Sequence, residues 1–361
     1  MKFLFASDSF KGTLSSPKTA ELLTQAAREI FPDCVCDSIE VADGGEGTTE
    51  AVLSAVKGTT IPLKVHGPLW EELTCSYGML DEKRAVMEMA AASGLPLVPD
   101  EKRDPRYTTS YGTGEMIRDA LERGFRDISI AIGGSATNDG GIGCIRALGG
   151  RFLDENGEDA GEGGQALAKV ARIDVSGMNP LLKECHIQIA CDVNNPLCGE
   201  NGSTYVYGPQ KGVTEDMKKT LDEAMAHFAR VTSETLENDY MNTPGAGAAG
   251  GLGYAFLAYT GAALTPGIEL ILDAVGLEEE LSGADVVVTG EGRLDFQTAM
   301  GKAPVGVARL AKKYNAKVIA FAGSVTKEAA ACNKEGIDAF FPILRNVCTL
   351  AEAMDPATAK N

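Results

Sequence analysis

Apolar residues follow two rhythms along this chain, short unbroken runs and stripes spaced three to four residues apart, and the two alternate at both ends. "KFLFAS" near the start is a short buried strand. "SSPKTAELLTQAAREIF" then carries a helical stripe, with Ser16 at the N-cap and Pro17 at the first helical position. "VCDSIEVAD" is the next strand, followed by the glycine cluster "GGEGT" and an alanine-rich helix through Val56. The grammar returns near the carboxyl end in "ADVVVTGEG", a helix over about 304–314, "KVIAFAGS", another helix and "AFFPIL". Strands alternating with helices predict a mostly parallel sheet, whose ligands sit beyond the carboxyl ends of the strands.

Between these flanks the pattern changes. "TTIPLKVHGPLWEELTCSYGML" predicts strands or hairpins, and "GEMIRDALERG" and "EDMKKTLDEAMAHFARVTSETL" predict helices. The chain is therefore divided into a discontinuous α/β domain over 1–65 plus 283–361 and a second α/β domain over 66–282 inserted into it.

Composition narrows this picture. With 361 residues, 44% hydrophobic, the chain can bury two cores, and its 42 glycines suit tight strand-to-helix turns. No apolar run reaches the roughly 18 residues of a membrane span, and the apolar start is too short for a signal peptide, which points to the cytoplasm. Nine scattered cysteines without zinc-type spacing predict reduced, mostly buried thiols. A net charge of −18 argues against nucleic acid and against anionic membrane surfaces. Any anion site must then be built locally, from lysines, backbone N–H groups and a divalent cation.

Several motifs fall where such a site belongs. In "FASDSFKG", Asp8, Ser9, Lys11 and Gly12 lie between a strand end and a helix start, a position that favours phosphate or carboxylate. "ADGGEGTTE" repeats the arrangement, with Asp43 leading and Gly44, Gly45 and Gly47 permitting close backbone approach. "IAIGGSATNDGGIG" follows the strand "DISIAI" and offers Gly133, Gly134, Ser135, Thr137, Asn138 and Asp139 before a helix through Leu148, with Asn138 or Asp139 as its cap. "ACDVNNPLCGENG" places Asp192, Asn194 and Asn195, hard oxygen donors, directly after an apolar strand. "GPQKG" supplies Gln210 and Lys211 in a loop, where a solvated lysine is the plain reading. "VVVTGEGRLDFQTAMGKAP" gathers Glu291, Arg293, Asp295, Gln297 and Lys302 after a buried strand, although Arg293 and Asp295 could simply pair with each other.

Other chemistries fit poorly. "GAGAAG" (245–250) matches GxGxxG but does not follow a strand, GxxxxGK[ST] is missing, and His66, His186 and His227 are dispersed with no GxSxG nucleophile elbow. Acidic groups, lysines, amides and glycine turns suit phosphoryl transfer, where catalysis is positioning and charge neutralisation and a carboxylate serves as base for a hydroxyl. A non-catalytic receptor for an organic acid would gain nothing from so many carboxylates near an anion.

Together "DSFKG", "VADGGEGT", "IGGSATNDGG", "CDVNNPLCG", "GPQKG", "PGAGAAGGLG" and "TGEGRLDFQTAMGKAP" resemble the motif series of the type 1 glycerate kinases, in order, from Phe3 to about Phe341. That resemblance implies ATP-dependent phosphorylation of D-glycerate, most often to 2-phosphoglycerate, with phosphorylation at the 3-hydroxyl or of another hydroxy acid as the alternatives. It also implies a flavodoxin-like parallel-sheet domain interrupted by a second α/β domain resembling the restriction-endonuclease core. On this reading Lys11, Arg293 and Lys302, with Ser9 and Glu291, hold glycerate's carboxylate and the γ-phosphoryl group. N–H groups around Gly44, Gly45, Gly47, Gly134 and Ser135 cradle ATP phosphates. Asp192 is the base, with Lys11 and Asp8 also catalytic, and Asp43 and Asp295 bind Mg²⁺ directly or through water. Spacing does not separate a base from a metal ligand, so Asp8, Asp43, Asp192 and Asp295 can be permuted among these roles. Oligomeric state is left open.

Overall fold

A computed structural model describes residues 1–10, 13–41 and 48–344. The strands among these residues, in chain order, are β1 (Lys2–Phe5), β2 (Val35–Ser38), β3 (Thr59–His66), β4 (Glu72–Met79), β5 (Arg84–Glu88), β6 (Asp127–Ala131), β7 (Arg151–Leu153), β8 (Arg172–Asp174), β9 (His186–Ala190), β10 (Ala263–Thr265), β11 (Val286–Leu294), β12 (Lys317–Val325) and β13 (Ala339–Pro342). They belong to two compact units, Met1–Lys57 with Ile268–Asn361, and Gly58–Gly267. The chain thus leaves the first unit before β3, earlier than Val65, because β3 pairs along its whole length with β4. It re-enters ahead of Ser282, because Ile268, Leu272, Leu277 and Leu281 bury in the first unit's core.

The first unit is built on a five-stranded sheet in the order β13-β12-β11-β1-β2, every pair parallel. Counted within the unit, that is 2-1-3-4-5, and the order reverses between β1 and β11. Phe3, Leu4 and Phe5 are all buried, so β1 is apolar without alternation, as a strand covered on both faces must be. The helix Ser16–Ile30 is capped by Ser15, one residue before the expected cap, and the Ser15 hydroxyl accepts from the Lys18 N–H at 3.4 Å. On β11, Val287 buries among Val305, Val307 and Ala308 of the helix Ala303–Lys313.

The second unit has a six-stranded sheet in the order β10-β9-β6-β5-β4-β3. The β3–β4 and β4–β5 pairs are antiparallel, while β5, β6, β9 and β10 run parallel. Those four strands therefore end at one edge. Its core gathers Tyr77, Met87, Ile128 and Ile189 from the sheet with Met116 and Ile117 from the helix Tyr111–Glu122.

The helix expected to begin at Asn138 or Asp139 begins instead at Ile142 and ends at Ala147. Gly140 and Gly141 hold φ of +61° and +78°, which delays the helix, and the Asp139 carboxylate, two residues before the N-cap Gly141, accepts the Gly141 and Gly143 N–H groups at the helix start while also binding Ser110. Eight described cysteines are free thiols, two of them buried and the others half-buried. Burial pushes the Cys75 and Cys198 thiols up to about 12. No helix among the described residues is long and apolar enough to cross a membrane.

Candidate active site

The expected residues fall into two groups, one on each unit. Lys11, Asp43, Gly44, Gly45 and Gly47 lie outside the described residues.

On the first unit the group forms where the strand order reverses. β11 outruns β1 at its carboxyl end, and the Asp8 N–H continues the ladder by donating to the Gly290 carbonyl at 2.9 Å. Asp8 and Glu291 are both buried there, and Ser9 follows at the rim. The Ser9 N–H donates to Asp8 Oδ1 at 2.6 Å, and the Thr298 hydroxyl donates to Glu291 Oε1 at 2.5 Å. Charged acceptors held this way keep fixed positions at the strand ends. Asp295 caps the short helix Phe296–Ala299, its Oδ1 accepting from the Gln297 and Thr298 N–H groups while Oδ2 faces Arg293 Nε at 3.6 Å. The pairing of Arg293 with Asp295 is real, but the arginine side chain is 65% exposed, so the pair is worth little and can open to an anion. Lys302 stands at the N-cap of the helix Ala303–Lys313.

On the second unit the parallel strand ends bring together Glu88, Gly133 with Gly134, Asp192 and Gly267. Glu88 had no place in the sequence reading, although "RAVMEMAAASG", an apolar run ending in an acid and small residues, has the same form as the other motifs. Asp192 Oδ1 accepts the Gly267 N–H at 2.8 Å, and Oδ2 has no hydrogen-bond partner among the described residues. Its carboxylate is therefore oriented yet keeps an open lone pair, the arrangement a general base needs. Gly133 and Gly134 are exposed, and a side chain at Gly133 would meet nothing within 4 Å. Neither glycine N–H donates to a backbone acceptor among the described residues.

Immediately after this turn the chain plunges inward, and Ser135, Thr137, Asn138 and Asp139 are all buried. Lys211 is not a solvated loop lysine. It is 2% exposed, and its ammonium donates to the Thr137 carbonyl at 2.6 Å and to Ser135 Oγ at 3.3 Å. Gly212 makes the approach possible: its φ is +99°, and a Cβ there would lie 2.0 Å from the Arg103 carbonyl oxygen. Burial lowers Lys211 to about 7, partly opposed by Asp139, whose own carboxyl burial pushes up against four hydrogen bonds from Ser110, Gly141 and Gly143.

A pH dependence follows. The ordinary lysine value is 10.5, so between about 7 and 10.5 the unfolded chain binds more protons at this position than the folded one. The penalty for burying Lys211 is complete below about 7, on the order of 5 kcal/mol, and fades as pH rises to 10.5. Lys211→Met is therefore expected to gain stability over the parent near about pH 6 and to lose that advantage near about pH 10, measured by thermal melts of both proteins. A melting difference independent of pH would mean that the ammonium is solvated.

Two α/β units, both with acids at parallel strand ends and the second with an open glycine turn beside them, define the class of small-molecule enzymes in which charged substrates are held by loops at strand ends. The model of the glycerate kinase family matches residues 3–361. The chain is 50% identical over 354 residues to the glycerate 2-kinase of Escherichia coli strain K12, covering 98% of this chain and 93% of that protein. It is 48% identical over 358 residues to the glycerate kinase of Bacillus subtilis strain 168, covering 99% and 94%. A crystal structure from Salmonella typhimurium LT2, described as that of a candidate glycerate kinase 2, superposes with a TM-score of 0.86 at 47% identity, covering 100% of this chain and 95% of the other. The protein belongs to the glycerate kinase family.

Proposed function

We propose that this enzyme transfers the γ-phosphoryl group of ATP to the 2-hydroxyl of D-glycerate, giving 2-phosphoglycerate and ADP. What supports this reading most is the near full-length likeness to the Escherichia coli glycerate 2-kinase. The strand order 2-1-3-4-5 supports a flavodoxin-like first unit. The likening of the second to the restriction-endonuclease core rests on the family resemblance, and its mixed sheet is compatible with it.

Asp192 is the base that takes the hydroxyl proton, through the oxygen the Gly267 N–H leaves open. The Gly133 and Gly134 N–H groups bind phosphate oxygens. Ser135 contributes through its backbone, since its hydroxyl is already engaged by Lys211 and the Thr137 N–H. Lys11, Arg293 and Lys302 hold the glycerate carboxylate and the γ-phosphoryl group. Among the described residues no three His, Cys, Asp or Glu side chains gather into a cage. Mg²⁺ takes one or two carboxylates beside phosphate oxygens and water, and when bound it would neutralise phosphoryl charge. Asp8 and Glu291 are hard donors of the right kind. Asp295, with both oxygens engaged, suits a water-mediated contact, and Asp43 completes the set.

The test is ³¹P NMR of the product formed from D-glycerate and Mg²⁺-ATP. A 2-phosphoglycerate resonance is expected. A 3-phosphoglycerate resonance would move the reaction to the other hydroxyl, and no glycerate-dependent product from folded protein would end the reading. Lys11→Ala is expected to lower kcat/KM more than tenfold while the melting temperature stays within a few degrees. Unchanged kinetics would remove Lys11 from the site.

A further inference from the structure

We propose that Lys211 is a positioning residue for nucleotide binding, fixing residues 135–137 so that the exposed Gly133 and Gly134 turn keeps its N–H groups directed at a phosphate. The inference rests on the kinase reading and extends it to a residue that touches neither substrate.

Three observations carry it. The first is the contrast at the turn: two exposed glycines whose N–H groups meet no acceptor among the described residues are followed at once by buried Ser135. A glycine turn is the most compliant backbone available, and an anion cradle works only if its donors are held in place beforehand. The second is how residues 135–137 are held. Ser135 Oγ accepts from the Thr137 N–H at 3.1 Å and lies 3.1 Å from Thr137 Oγ1, while Lys211 Nζ reaches both Ser135 Oγ and the Thr137 carbonyl. The lysine comes from 74 residues further along the chain and adds a side-chain clasp to the backbone bonds that tie this loop to residues 93–95, where the Leu95 N–H donates to the Gly134 carbonyl at 2.7 Å and the Ala136 N–H to the Ser93 carbonyl at 2.9 Å. The third is cost. A buried ammonium is expensive, and an apolar side chain of similar length would fill the same space more cheaply. A lysine kept at this cost supplies directed N–H bonds to the Thr137 carbonyl and Ser135 Oγ that an apolar side chain lacks.

The neighbouring segment supports the same assignment. Residues 245–250, which match a dinucleotide fingerprint in letters alone, press on the other part of this loop. The Gly140 N–H donates to the Gly250 carbonyl at 2.9 Å, and Gly250 lies against the Thr137 carbonyl that Lys211 also engages. The loop is thus braced by the backbone of residues 93–95, by the Gly250 backbone and by the Lys211 side chain.

The experiment compares the full-length parent, Lys211→Met and Ser135→Ala. It measures Mg²⁺-ATP affinity by calorimetry without glycerate and KM for each substrate in turnover, with near-UV circular dichroism to establish folding. Lys211→Met is expected to weaken Mg²⁺-ATP binding and raise KM for ATP at least tenfold, with KM for glycerate changed less than twofold. Ser135→Ala, which removes one arm of the clasp, is expected to move the same two quantities about threefold. If Lys211→Met does not fold, the Ser135→Ala result alone decides. Unchanged ATP affinity in a folded variant, or an equal loss for both substrates, would overturn the inference while leaving the kinase reading intact. A parent protein that binds no Mg²⁺-ATP would overturn both.

Discussion

Asp192→Asn is expected to lower kcat by about 10² to 10⁴, the range that a positioned general base contributes, with KM for ATP nearly unchanged. The substitution is isosteric. The asparagine side-chain oxygen can still accept the Gly267 N–H that Asp192 accepts at 2.8 Å, so the entry to the following helix, Gly267–Ala274, keeps its partner and the fold should persist. What the amide lacks is a site to receive the hydroxyl proton as the phosphoryl group arrives. The measurement is steady-state kinetics of the purified variant, with a thermal melt beside it. Turnover within a few-fold of the parent would hand the base role to another carboxylate, and Asp8, buried at the end of β1, would be next to test.

The second large effect is structural. Gly250→Ala is expected to cost about 2–4 kcal/mol, from roughly 1–2 kcal/mol for a left-handed residue bearing a Cβ and a similar amount for overpacking. Gly250 has φ of +72°, and an added Cβ would lie 1.9 Å from the Thr137 carbonyl oxygen and 2.8 Å from Asn138 Cα. Both neighbours are backbone in a buried loop, so neither can swing away. Because this loop carries the Gly133 and Gly134 turn, the variant should also lose ATP affinity. Denaturant titration checks the first effect and nucleotide titration the second. An unperturbed variant would mean that the two segments do not approach this closely.

The glycines show where local reading stops. Ala249 and Gly250 both take left-handed conformations, so "GAGAAG" is a kinked segment shaped to pass over another backbone, and the partner backbone is more than a hundred residues away in the chain. Nothing in the motif's own letters names Thr137. Lys211 is the same case: a lysine two residues beyond a proline in a glycine-flanked turn has every local mark of a solvated side chain, and only packing from distant segments buries it. Glu88 was missed for a different reason. The short strand that carries it is not singled out in the sequence pattern, and a single acid after an apolar run is an ordinary strand end until β6, β9 and β10 are seen to stop beside it.

By itself the sequence determined the α/β class, the alternation of strands and helices in the first unit, the interruption by a second unit, and the motifs that mark the family. These rest on short-range physics: unbroken apolar runs for covered strands, helical spacing for amphipathic helices, and small or acidic residues where a strand ends at a ligand. The tertiary structure alone decided which strand ends lie side by side, that Asp8 bonds β11 at Gly290 where the strand order reverses, that Asp192 is aimed by Gly267, and that Lys211 is buried against Ser135 and Thr137. Those are contacts between residues 74 to more than 280 positions apart, and their energies depend on distance in space, which local pattern does not encode.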